Sequence, residues 1–151
     1  MADILTSDKR SRNMSAIKNR DTKPEIYFRK LLFAQGFRYR KNSSSIIGHP
    51  DLYLAKYHTA VFINGCFWHR HTACKYAYTP KSRIDFWQKK FEHNIQRDAT
   101  VRAALANKGI KCLVVWECTI RKMERDSLFE TDILHSAIDF ILSDSSLFLE
   151  L

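Results

Sequence analysis

No run of about 18 apolar residues occurs in this 151-residue chain, which excludes a membrane-spanning helix. The opening decapeptide, MADILTSDKR, also lacks the apolar core of a signal peptide, so the expected location is cytoplasmic. Internal repeats, low-complexity tracts and any sign of a second domain are missing as well, and 151 residues suffice for one domain with a real core but not comfortably for two. Acidic residues are scarce until late in the chain. Residues 1–48 hold 11 basic and 4 acidic side chains, residues 49–111 again 11 and 4, and residues 112–151 only 3 and 8. A basic body with an acidic tail suits a protein that binds a polyanion, because neutralising phosphates releases counterions; solubility alone is the competing explanation.

What is present points to a folded α/β or α+β domain, with 45% hydrophobic and 13% aromatic residues. Residues 7–20 are basic with only Met14, Ala16 and Ile17 apolar, so residues 1–21 read as an arm that either lies on DNA or forms a solvated helix, ahead of a single domain over 22–151. Thr22-Lys23-Pro24-Glu25 has capping-box spacing, and Gly36 offers a stop; between them Tyr27, Phe28, Leu31, Leu32 and Ala34 keep helical spacing. Phe37 to Arg40 alternates like a strand. Leu52 to Ala55 and Thr59 to Ile63 form the arms of a hairpin turning at Lys56-Tyr57-His58, a register that sets Asp51 opposite Ile63. Ser82 and Asp85 are candidate caps for a long helix from Ile84 to the Gly109 stop, roughly 26 residues or about 39 Å. Along it Lys90, Asn94 and Arg97 form a polar stripe beside the apolar face, with Trp87 bordering both. Ile110 to Trp116 reads as a buried strand and Glu130 to Leu142 as a final helix. The expected order is helix, three strands, helix, strand and tail helix, a mixed sheet between helices.

Chemistry concentrates in residues 61–74, where a strand runs into a loop with two cysteines, two histidines and an aromatic pair. In a reducing compartment cysteines are thiols or metal ligands. Cys66, His71 and Cys74 share this loop, and Cys118 follows the buried strand whose direction brings it back. Four S/N donors of this kind suit a structural Zn²⁺; ordinary buried thiols are the alternative, which is preferred for Cys112. Asp51 after Pro50 is either a turn residue or a Mg²⁺ ligand completed by the Ile63 backbone carbonyl and phosphate oxygens. His69 is free to be a general base, or is a zinc ligand or surface histidine. Glu25 reads first as the capping-box acid, with a second role if its helix end reaches Asp51. Phe67 and Trp68 either pack in the core or stack on and insert between bases; for Trp116 the core is the better reading.

Several motifs in order resemble one family. Gly-Cys-Phe-Trp-His (65–69) with His71 and Cys74, the upstream Gly-His-Pro-Asp (48–51), Phe86-Trp87 with Lys90, Asn94, Arg97 and Asp98, and Val-Val-Trp-Glu-Cys (114–118) are similar to the very short patch repair (Vsr) DNA mismatch endonucleases, over about Arg10 to Lys122. The resemblance implies a restriction-endonuclease-like αβββαβ core with a structural zinc site. It implies a Mg²⁺-dependent, strand-specific nick 5′ to the thymine of T:G mispairs left by deamination of 5-methylcytosine. Residue by residue, Asp51 and the Ile63 carbonyl match the Mg²⁺ ligands, His69 the group that activates water, Glu25 a supporting acid, and Cys66, His71, Cys74 and Cys118 the zinc ligands. Phe67, Trp68 and Trp87 match wedging aromatics, Lys90 and Asn94 base-reading positions, and Met14 an apolar residue of the arm that reaches the minor groove.

This chain departs from the pattern in three places. Asn64 stands where members often carry His or Asp and is a poor proton carrier; two residues separate His71 from Cys74, one more than in some members, so the loop must bulge; and no Asp/Glu-x-Lys follows Val61, so histidine has to replace lysine chemistry. Mismatched double-stranded DNA is the expected partner of a monomeric protein, nucleoid-associated when on DNA, with mismatch-repair proteins as further candidates. A sequence-specific restriction-type nuclease and a zinc-stabilised DNA-binding module without catalysis are the competing functions.

Overall fold

Thr22 opens the first helix of the computed structural model, which describes residues 20–151. Helix α1 (Lys23–Ala34) starts with Pro24 in its first turn and the Glu25 N–H bonded to Thr22 Oγ1 at 3.5 Å. The Glu25 carboxylate reaches one residue further back than a capping box requires and accepts from the Asp21 N–H at 2.8 Å. At the other end Gly36, at φ +93°, lets Phe37 N–H reach Leu32 O (3.1 Å) and Gly36 N–H reach Phe33 O (3.0 Å), the paired bonds of a Schellman stop. Phe28 and Leu32 are fully buried, and truncating Phe28 to alanine would cost about 3–5 kcal/mol.

That stop also corrects a strand boundary. Phe37 completes the stop after α1, residues 37–39 lie in no strand, and β1 is only Arg40–Lys41. β2 (Leu52–Leu54) and β3 (Thr59–Asn64) are joined by a 3₁₀ turn over Ala55–Tyr57, with His58 left-handed at φ 48°. Their register pairs Leu52 with Val61, one residue off the expected pairing, so the ladder sets Asp51 opposite Phe62. The expected long helix is α2 (Ile84–Asn107), 24 residues. Its cap differs from the sequence expectation: Arg83, left-handed at φ 54°, is the N-cap and supplies no side-chain cap bond, while Asp85 sits in the first turn. α2 crosses over to β4 (Lys111–Trp116), parallel to β3 in six pairs from Thr59↔Lys111 to Asn64↔Trp116.

Two elements were absent from the sequence reading. α3 (Glu117–Arg125) follows β4 without a turn residue and buries only Ile120 and Met123. After α4 (Ser127–Leu142), capped by Asp126 and three residues longer at its start than expected, β5 (Phe148–Glu150) pairs parallel with β4. The sheet order is β1-β2-β3-β4-β5, mixed, and the expected αβββαβ series forms its core.

The central strands are buried on both faces, which is why they read as unbroken apolar runs. Leu52, Leu54, Val61, Leu113 and Val115 pack with residues of α1, α3 and α4, whereas Tyr53, Ala60 and Cys112 pack with Leu105 of α2. Lys111 is 3% exposed, and its ammonium donates to the carbonyls of Phe140, Ile141 and Ser143, closing the C-terminal end of α4. Gly48, at φ +84°, lies where a Cβ would stand 2.4 Å from Val101 Cγ1, so only glycine lets the loop before Asp51 lie against α2. Among the described residues no helix is long and apolar enough to cross a membrane.

Candidate active site and metal centre

Asp51 leaves its loop just before β2, and its Oδ2 accepts the Ile63 N–H at 2.7 Å. The one-residue register correction therefore leaves the expected neighbourhood intact. In an extended strand the N–H and C=O of one residue point the same way, so the Ile63 carbonyl also faces the side of Asp51. Burial pushes the Asp51 carboxyl up from 3.8 to about 7; the Ile63 N–H opposes the rise, and the negative charge of Glu25 adds to it. Glu25, 6% exposed, is itself raised, chiefly by burial. The first turn of α1 thus does bring Glu25 to Asp51. Both carboxyls of this recess are thus held above their usual range.

That recess is a cavity of about 600 Å³ whose walls include Glu25, Asp51, Ile63, Asn64, Trp68 and His69. Asn64, 9% exposed, sits at the end of β3 and offers an amide but no titrating proton. His69 is held by its own N–H to Gly65 O (3.1 Å) and by Nδ1 to Asp98 Oδ2 at 2.6 Å. A carboxylate on Nδ1 keeps the proton there and leaves Nε2 as the basic nitrogen. The sequence reading gave Asp98 no task. A signal was available, since Asp98 lies one turn beyond Asn94 on the same stretch of α2, but nothing local said that His69 would meet it.

Cys66, His71, Cys74 and Cys118 come together as the sequence anticipated: their ligand atoms all lie within 4.8 Å of one another. Cys118 Sγ is 3.3 Å from His71 Nδ1, and the Cys118 N–H points at Cys66 Sγ at 3.4 Å. Donors about 2.0–2.3 Å from one Zn²⁺ in a tetrahedron stand about 3–4 Å apart, so this Cys₃His set needs little movement to close on a metal. Between His71 and Cys74, Ala73 is in the left-handed region at φ 55°. Without a cation, burial drives the Cys66 thiol to about 12. On Cys74 burial is outweighed by donors that include the N–H groups of Tyr76 and Ala77, and its value falls. A bound metal ion would hold all three as thiolates. Trp116 stacks on the His71 ring at 4.2 Å and 7°, and its Nε1 donates to Glu150, so the core role expected for Trp116 includes bracing a ligand.

Phe67 and Trp68 do not diverge, one to the core and one to solvent. Phe67 is the hub of a half-buried cluster, its ring centroid 5.1 Å from Trp68, 5.3 Å from Trp87 and 5.2 Å from Phe91. Arg70, another residue the sequence reading passed over, lies 3.9 Å over Phe91 and donates to the carbonyls of Phe67, Ala77 and Tyr78. Lys90 and Arg97 are exposed, Arg97 at the cavity rim, but Asn94 is 8% exposed and its Nδ2 donates to Trp68 O at 2.9 Å. In this structure Asn94 anchors the aromatic loop rather than presenting its amide outward. Met14 and nearly all of the N-terminal arm lie outside the described residues.

The chain is similar to several known proteins. The family model described as "DNA mismatch endonuclease Vsr" matches residues 2–75. The type II nicking enzyme V.NmeAIP of Neisseria meningitidis is 49% identical over 121 residues, 80% of this chain and 86% of that protein. The type II nicking enzyme V.HpaIIP of Haemophilus parainfluenzae is 44% identical over 115 residues, 76% and 82% of the two chains. The DNA mismatch endonuclease Vsr of Escherichia coli is 38% identical over 125 residues, 83% and 80%.

Proposed function

The chain belongs to the Vsr family of DNA-nicking endonucleases, and from that premise we propose that it nicks one strand of duplex DNA 5′ to the thymine of a T:G mispair arising from deaminated 5-methylcytosine. The observation that carries the reading is one cavity holding Asp51 on the Ile63 N–H, Glu25 beside it, and His69 fixed by Asp98.

Asp51 and the Ile63 carbonyl would hold a Mg²⁺ ion, with Glu25 close enough to support it through water. When bound, that ion supplies charge that polarises the scissile phosphate and favours ionised water. His69 Nε2 takes the proton from the attacking water, and Asp98 stabilises the imidazolium that results; a positioned base of this kind contributes about 10²–10⁴-fold. Asn64 orients water or phosphate through its amide. The absence of an Asp/Glu-x-Lys after Val61 is made good by the His69–Asp98 pair.

In this scheme Cys66, His71, Cys74 and Cys118 would hold a structural Zn²⁺ with four protein donors, which would brace the loop that carries Phe67, Trp68 and His69. Phe67, Trp68 and Trp87 form the wedge, Lys90 and Arg97 meet DNA along α2, and Asn94 reads a mispaired base only if it leaves Trp68 O. Residues 1–21, with Met14, act as an arm on the DNA ahead of a single domain over 22–151 that works as a monomer. Unstacking costs a few kcal/mol and least at a mispair, so the wedge itself favours mismatches.

The test is a nicking assay with Mg²⁺ on matched oligonucleotides containing T:G, T:A or no second strand. Cutting confined to the T:G duplex, 5′ to the thymine, is the expected result. Equal cutting of T:A and T:G would point to a sequence-specific nuclease of the same fold, and binding without cutting to a DNA-binding module.

A further inference from the structure

Away from the catalytic cavity, on the outer flank of α1 and the edge strand β1, Arg29, Lys30, Phe33, Arg38, Tyr39 and Lys41 enclose a cleft of about 390 Å³. Among the described residues no acidic side chain lines it. Residues 20–41 carry seven basic and two acidic side chains, and both acids are engaged: Asp21 pairs with Arg29 at 2.7 Å, and Glu25 accepts from the Asp21 N–H. Arg29 is therefore largely neutralised, which leaves three positive charges, on Lys30, Arg38 and Lys41, facing the cleft.

The cleft is built rather than merely charged. The Arg38 guanidinium lies 4.0 Å over the Phe33 ring and donates to the carbonyls of Phe33 and Phe37, so its charge is fixed at the end of α1. Phe33 is 52% exposed and meets Tyr39 edge-on at 6.4 Å, forming an apolar floor between the cations. Both residues of β1 are exposed, and among the described residues no strand pairs with its outer edge, which leaves Lys41 at the rim.

The cleft's position ties it to the catalytic cavity. Lys41 pairs in register with Leu52, the residue after Asp51, and the Asn42 N–H donates to Asp51 O at 3.0 Å. Glu25, at the cavity, and Phe33, at the cleft, lie on one helix eight residues apart, roughly 12 Å at 1.5 Å per residue. Phosphates of one strand advance about 3.4 Å along the duplex axis per nucleotide, so 12 Å corresponds to about three or four nucleotides. We propose that this cleft is a phosphate-binding site for the flanking duplex, holding the backbone a few nucleotides to one side of the scissile phosphate through Lys30, Arg38 and Lys41. The inference rests on the reading of the chain as a duplex-DNA nickase, and it predicts an asymmetric footprint. A row of three cations, with Arg38 fixed among them and no acid among the described residues, matches a repeating polyanion better than a single small anion.

The experiment measures binding of the full chain to fluorescent duplexes, T:G and fully paired, between 50 and 200 mM salt, for the wild type and the Lys30→Gln/Lys41→Gln variant. Each lost phosphate contact lowers the slope of log K against log[salt] by about 0.9, so the double variant should lose about 1.8, a roughly twelve-fold smaller change in affinity over that range. Trimming the duplex stepwise from one side of the nick should erase the difference between the two proteins, and trimming from the other side should not. An unchanged slope, or a defect that survives trimming on both sides, overturns the proposal. Loss of DNA binding only alongside a lowered melting temperature is separated from it by Lys30→Arg/Lys41→Arg, which keeps the charges and should restore the slope; failure to restore it also overturns the proposal. Because slopes are read on paired DNA too, absence of T:G-specific nicking would leave this test intact and count against the function alone.

Discussion

Replacing Asp51 with asparagine should abolish nicking and at the same time stabilise the protein free of Mg²⁺. Burial and the neighbouring Glu25 raise the native Asp51 carboxyl from 3.8 to about 7. Its ionisation therefore costs the folded state more than the unfolded one. For a group raised on folding, the stability it contributes is fully present below the unfolded value and is lost as pH climbs through the native value. The penalty thus grows between about pH 4 and pH 7 and is constant above. Three pH units at 1.36 kcal/mol each set a ceiling of about 4 kcal/mol. Asp51 and Glu25 share the site, so protonation of one relieves the other, and about 2 kcal/mol is the working figure. The amide of the substituted side chain would keep an oxygen for the Ile63 N–H, so little is lost in exchange.

For a domain of this size 2 kcal/mol corresponds to a melting temperature about 4–8 °C higher. The assay is thermal unfolding of both proteins from pH 4 to pH 8 in Mg²⁺-free buffer without a chelator, which would strip the Cys₃His cluster. The two curves should coincide near pH 4 and separate as pH rises. Added Mg²⁺ should then raise the wild type at pH 8 and leave Asp51→Asn unmoved, because only the carboxylate gains from the ion. A difference independent of pH, or an Asp51→Asn protein less stable at pH 8, would refute the electrostatic account of this site.

Asp98→Asn should slow single-turnover nicking by about 10²–10³-fold while leaving DNA affinity within a factor of a few, because the amide no longer holds the proton on His69 Nδ1; a loss below threefold would remove Asp98 from the mechanism. Cys118→Ser should lower bound zinc well below one equivalent and unfold the loop at a lower temperature, since a three-donor site binds the ion less tightly; full metal content and unchanged melting would show that Cys118 is not a ligand.

The parts of the fold that were legible are those governed by neighbours in sequence. Thr22 and Gly36 mark the two ends of α1 because capping and stop geometry involve only four or five successive residues. The β3 and β4 runs declare themselves because both of their faces are covered. α3 was not legible: it buries only Ile120 and Met123 and begins straight from a strand, leaving neither a long apolar stripe nor a boundary. β5 is three residues after a serine-rich turn and owes its existence to the open edge of β4.

In the site, the sequence alone determined the donor set and its spacing. Cys66, His71 and Cys74 lie too near one another in the chain to be far apart in space, and Cys118 is brought back by the direction of β4. The sequence also determined that Asp51 and Ile63 meet, because a short hairpin tolerates a slip of one residue without separating them. Only the tertiary structure decided that α1 delivers Glu25 to Asp51, that α2 crosses the sheet at the height where Asp98 meets His69, and that Asn94 turns inward to Trp68 O. These pairings span 26 to 29 residues across different elements, and their distances are set by how the 12-residue α1 and the 24-residue α2 pack on the sheet, a property that no local pattern in the chain encodes.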